Sequence, residues 1–246
     1  MYQPRSYRQW VESKSLVTFP VIVKETDLLI SAKSDISSQA LEIIRECRDI
    51  LEDYIKKHPY FASTLEPLHV EEDAPKLVRD MALAANMVGV GPMAAVAGAI
   101  AEDVGTKLLY FTDEIIVENG GDIFLKSLQR RLIGVYAGES PLTGKIAFEI
   151  RPEDTPIGIC TSSGTVGHSL SFGQADAVTV FSKSTALADA AATAIGNRVH
   201  STDDIPSAIE FAKDVDQLDG VAIMKDEALG LWGKITIASP DQRDSK

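Results

Sequence analysis

The alternation of apolar and polar positions begins early. "LVTFPVIVKETDLLISAK" reads as two strands joined by a polar turn at Lys24 to Asp27. The period then changes. In "SDISSQALEIIRECRDILEDYIKKH", residues Ala40, Ile43, Ile44, Cys47, Ile50, Leu51, Tyr54 and Ile55 fall on one helical face, with Ser and Asp at the start as caps and Pro59 after the end. Cys47 lies on that stripe and reads as core. "MALAANMVGVGPMAAVAGAIA" is uncharged over a membrane-spanning length, but Ala and Gly dominate it and Leu, Ile and Phe are scarce. It predicts two short buried helices broken at "GVGP", with Pro92 in the first turn of the second.

Strand-like runs follow: "EIIVE", "DIFLK", "RLIGVYA", "KIAFEI", "PIGIC" and "AVTVFS". Helices are expected over 184–197 and 205–215, then two strands at "GVAIMKD" and "LWGKITI". Runs of strands between groups of helices predict an α+β fold, and with no linker or repeat the chain reads as a single domain over 1–246.

Composition narrows the function. The 246 residues are 45% hydrophobic and 24% charged, ordinary for a globular protein. A formal charge of −12 and the lack of a basic cluster argue against nucleic acid or an anionic membrane as partner. An acidic protein can still hold a nucleotide through backbone amides or a metal ion. Two cysteines, Cys47 and Cys160, make neither a disulfide framework nor a CxxC site. The opening residues lack a signal-peptide core, and a cytoplasmic location is expected.

Three segments carry candidate chemistry. In "IIVENGGDIFL", Asn119-Gly120 is a hairpin-turn signal, and Gly120 with Gly121 would let a flat ligand or phosphate approach bare backbone. In "CTSSGTVGHSLSFG", nine of the fourteen residues are Ser, Thr or Gly, a loop rich in hydroxyls and amides that also holds His168. Cys160 invites a nucleophile reading there, without an evident basic partner. In "ALADAAATAIGN", Asp189 interrupts a run of small apolar residues, so it either points to water or meets something that needs its charge. Thr193 is four residues on, on the same helical face, and the two make half of a hard-cation site. A helix-terminal Asp with Thr193 bonding back to the chain is the simpler alternative.

The succession "GAIAEDVG", "ENGGDIFL", "CTSSGTVGHS", "DAVTVFSKSTALADAAATAIGN" resembles the core of the ApbE superfamily, whose best-known members are FAD:protein FMN transferases. The likeness runs from Gly98 to Asn197. It implies a layered α/β/α domain with mixed, largely antiparallel sheets and a site for FAD or FMN. Asp189 and Thr193 would be Mg²⁺ ligands, joined by a backbone carbonyl near Gly98. Gly120 and Gly121 would border the flavin, and Thr161, Ser162, Ser163 and Gly164 would lie along the nucleotide. Catalytic roles would fall to His168 and Asp189. Two family elements differ here. Glu102 stands where the transferases carry lysine, and the Asp-Pro-x-Thr-Gly-x-Pro element after the histidine is missing. The resemblance therefore does not extend to a protein acceptor, and it is nearest a short branch associated with sulfur assimilation and homocysteine formation. It leaves as alternatives an accessory enzyme of that kind and a non-catalytic ligand-binding module. It is compatible with a homodimer.

Overall fold

The computed structural model describes residues 13, 15–164 and 171–238. Its main sheet has eight strands: β1 (Val17–Val23), β2 (Thr26–Ala32), β3 (Ile115–Asn119), β4 (Asp122–Lys126), β7 (Ile157–Ser162), β8 (Ala177–Ser182), β9 (Leu218–Lys225) and β10 (Ala228–Gly233). They lie side by side in that order, and every neighbouring pair is antiparallel. A second sheet of three strands joins β5 (Arg131–Gly134), β6 (Ala147–Ile150) and β11 (Thr236–Ala238), with β6 in the middle.

Burial follows from position. β8, "AVTVFS", is central and buried at every residue, as a strand covered on both faces should be. β1 lies at an edge, with Phe19 and Val21 inward and Thr18, Pro20 and Ile22 exposed. An edge is where a residue without an N–H fits a strand. α1 (Ser37–Lys57) buries Ala40, Ile44, Cys47, Leu51 and Tyr54. Ile36 stands at its N-cap position, and Asp35 just before it accepts at Oδ1 from Ser37 N at 2.9 Å. The short α2 (Tyr60–Ser63) inserts Phe61 into the core.

α3 (Lys76–Val88) ends at Gly89, which is left-handed at φ 77°. Pro92 then opens a 3-10 turn, Pro92–Ala95, that feeds α4 (Val96–Leu108). The break at "GVGP" bends the pair by 106°, and among the described residues no single helix is long and apolar enough to cross a membrane. α5 (Thr185–Gly196) and α6 (Ile205–Lys213) complete the helices. α1 packs on β1, α4 on β3 and β4, α5 on β7 and β8, and α6 on β9 and β10, so the helices form a row over one face of the sheet.

The α+β class and the antiparallel sheets agree with expectation. The opposite face is covered by strands rather than by a second helical layer. Ile116, Ile123 and Leu125 of the main sheet pack there against Ile133, Phe148 and Ile150 of the small one. "LWGKITI" is divided between the two sheets because Gly233, at φ 97°, turns the chain out of β10.

Candidate functional site

α4 and α5 cross side by side above β4 and β7, at the centre of the sheet. Gly98 allows the close approach. A Cβ on it would lie 2.4 Å from the Thr185 carbonyl oxygen and 2.7 Å from Asp189 Cβ. The first-turn amides of a helix lack internal partners and favour an anion. Gly98 N donates to Asp189 Oδ2 at 2.8 Å, and the Ala97 amide also bonds that carboxylate. Burial nevertheless pushes Asp189 up to about 7, against the pull of these two amides. The charge inside the alanine run thus turns inward onto α4.

The turn between β3 and β4 comes up beside this contact. Asn119 pairs with Asp122 across Gly120 and Gly121, whose φ values of 69° and 110° fit a two-residue hairpin turn. Asn119 Nδ2 donates to the Ala97 carbonyl at 3.0 Å, fastening the turn to α4. Gly121 N donates to Glu118 Oε1 at 2.9 Å.

Asp122 follows the glycines and is buried. Burial first, then the charges of Asp189 and Glu118, raise its carboxyl well above the usual range, while the Cys160 thiol and Thr161 amide pull it back. Cys160 is fully buried, with Sγ 3.4 Å from the Thr185 carbonyl. Burial, Asp122 and Asp189 all raise its pKa, so this thiol is held protonated and makes a poor nucleophile.

The remaining residues singled out from the sequence spread along α5. Thr161 Oγ1 meets Thr179 Oγ1 at 2.9 Å, and its carbonyl lies 3.6 Å from where a Cβ on Gly121 would stand. Thr193 is half-buried one turn beyond Asp189. Ser162 and Gly164 lie toward the far end of the helix. Ser162 Oγ is 3.8 Å from a Cβ built on Gly196, and Gly164 N donates to the Ala175 carbonyl at 2.9 Å. Ser163 follows Ser162 after the end of β7. His168 lies outside the described residues. Gly98, Gly121, Thr161 and Asp189 are thus brought together, and Gly120 faces open space.

Three contributors escaped the sequence reading. Asp122 was legible only through register, because the residue after a two-residue turn shares a face with the one before it. In the sequence Asn119 marks only a hairpin turn. Glu102 accepts from Thr185 N at 2.7 Å and Ala186 N at 3.2 Å, so it caps α5 from the neighbouring helix. Burial raises its pKa, and those amides oppose the rise.

The donors suit a hard cation. Asp122 and Asp189 face each other's charge, and among the described residues neither has a Lys or Arg partner. No group of three His, Cys, Asp or Glu among the described residues makes a metal site alone.

Comparison with known proteins shows the family and the fold. The family model described as AbpE bacteria matches residues 8–224. The UPF0280 protein MJ1526 of Methanocaldococcus jannaschii is 47% identical over 221 residues, covering 87% of this chain and 90% of its own length. A UPF0280 protein of Methanococcus aeolicus is 43% identical over 222 residues, covering 87% and 89%. The crystal structure of the ApbE protein from Thermotoga maritima aligns with a TM-score of 0.58 at 12% identity, over 87% of this chain and 96% of that one. The apo flavinyl transferase ApbE of Pseudomonas stutzeri aligns at 0.55, also at 12% identity, over 88% and 93%.

Proposed function

The chain belongs to the AbpE bacteria family, and on that premise we propose that it binds a flavin nucleotide, FAD or FMN, through Mg²⁺ at the junction of α4, α5 and the β3–β4 turn. Asp189 and Thr193 hold the ion, with a backbone carbonyl near Gly98 completing the protein's share. Gly120 and Gly121 border the flavin, and the Thr161 to Gly164 segment follows the nucleotide. When bound, Mg²⁺ neutralises pyrophosphate charge and favours departure of its leaving group. The chain's own groups orient the site. The Ala97 and Gly98 amides fix the Asp189 carboxylate, and Asn119 ties the glycine turn to the same helix.

One observation supports the reading above the others: the half-buried Asp189 carboxyl lies near enough to the buried Asp122 carboxyl to raise it, and among the described residues neither has a Lys or Arg partner. A sulfur-transfer role centred on Cys160 has less support, since the thiol is buried and protonated. Glu102 caps α5 where transferases carry lysine, which supports binding more directly than transfer to a protein.

Equilibrium titration of the protein with FAD, with and without Mg²⁺, tests this. Binding is expected to require the metal and to weaken by about 100-fold or more in Asp189→Ala. Binding without metal dependence, or no binding at all, overturns it. Release of FMN and AMP from FAD, lost in the same variant, would make the protein an enzyme. Binding without turnover would make it a ligand-binding module.

A further inference from the structure

The first turn of α4 has a second side. This turn, α1 and the β1–β2 turn enclose a half-open cavity of about 350 Å³. Its walls are apolar, formed by Leu51 and Ile55 of α1 and by Met93, Val96 and Ile100, and Asn119 lines it as well. Water gains little in so apolar a space, and the volume falls at the small end of ligand pockets, about 300–1,000 Å³.

Besides Asn119, the polar lining comes from Glu25, Thr26, Arg48 and Glu52, and with Lys24 their charges cancel. Arg48 Nη1 donates to Thr26 Oγ1 at 2.6 Å, and Nη2 reaches Glu25 at 2.6 Å and Glu52 at 2.9 Å. Lys24 Nζ pairs with Glu52 at 2.6 Å. Two cations therefore meet two carboxylates, leaving no free charge to recruit an ion. One donor remains: Arg48 Nε is buried with no acceptor, although its side chain lines the cavity. A buried donor left without an acceptor is destabilising, and an acceptor brought to it relieves that cost.

We propose that this cavity binds a small uncharged molecule with an apolar body and one hydrogen-bond acceptor, a neutral carbonyl, which Arg48 Nε meets after a small turn of the guanidinium. The cavity adjoins the site assigned to Mg²⁺ and nucleotide, with Ala97 and Asn119 lining it, and the proposal does not depend on that assignment.

Acetanilide is the probe, having one ring and one neutral carbonyl, and benzoate is its charged counterpart. The wild-type chain with ¹³C-labelled methyls is titrated with each and followed by NMR. Acetanilide is expected to give saturable shifts confined to Leu51, Ile55, Met93, Val96 and Ile100, in wild type and in Asp189→Ala alike. Benzoate should bind about tenfold more weakly, and Arg48→Lys should weaken acetanilide by about five- to tenfold. Absence of saturable shifts in the wild type, shifts confined to other methyls, or benzoate binding as tightly as acetanilide overturns the proposal. Undiminished acetanilide binding by a folded Arg48→Lys overturns the role of Nε.

Discussion

Glu114 keeps its charge in the interior because donors surround it. Lys33 Nζ lies 2.5 Å from one oxygen. Ser127 Oγ, Leu128 N and Arg131 Nη2 lie 2.7, 2.9 and 3.1 Å from the other. Burial alone would raise this carboxyl, but the donors outweigh it and lower the pKa from 4.5 to about 2. A folded pKa below the unfolded one gives stability that is complete above about 4.5 and is lost as pH falls toward about 2. Glu114→Ala is expected to cost about 3–5 kcal/mol at neutral pH, measured by urea unfolding, because buried Arg131 loses a carboxylate. The variant should also lose less stability than wild type through that acid range. Legibility differed among such residues. Asp189 stood out because a charge among alanines needs a reason. Glu114 and Asp122 sat beside strands of ordinary composition, and their partners come from segments distant in the chain.

At the scale of elements, local signals were read well. The "GVGP" break, the apolar stripe of α1 and the extent of α5 all rest on interactions within a few residues. What they could not convey is how helices approach. α4 and α5 touch through Gly98, and Gly98→Ala would place its methyl against the Thr185 carbonyl, forcing the helices apart. The expected cost is about 1–3 kcal/mol in stability. A larger relative loss of Mg²⁺-dependent FAD binding should accompany it, because Gly98 also bonds Asp189. Calorimetry and the FAD titration together check this, and a variant with unchanged stability and binding would show that the contact is not tight. Glu102 teaches the same lesson. By position it replaced a family lysine, and only the fold shows it serving the N-terminus of the next helix.

In the whole molecule, two apolar cores share one sheet. The larger lies under the helices, and the smaller lies between the main and small sheets, where Phe148 meets Phe181 edge-on at 5.0 Å. Neither core can open without exposing strands that the other buries. Urea unfolding should therefore be a single transition, with circular dichroism and tryptophan fluorescence coinciding, and separated midpoints would refute the single-domain reading. The α+β class was visible in the succession of strand runs and helices. The small sheet was not, since β11 pairs with β6 from far along the chain and no local pattern reports such a partnership. The family model matches residues 8–224, well beyond the Gly98 to Asn197 core.

The first turn of α4 gives amides to Asp189 on one side, and on the other it gives a carbonyl to Asn119 and a wall to the cavity. A few residues of backbone are thus common property of two neighbouring sites. If both proposed ligands bind, each restrains that backbone, and the second to bind finds part of the ordering already done. Two such ligands would be linked thermodynamically, each changing the other's affinity by the same factor.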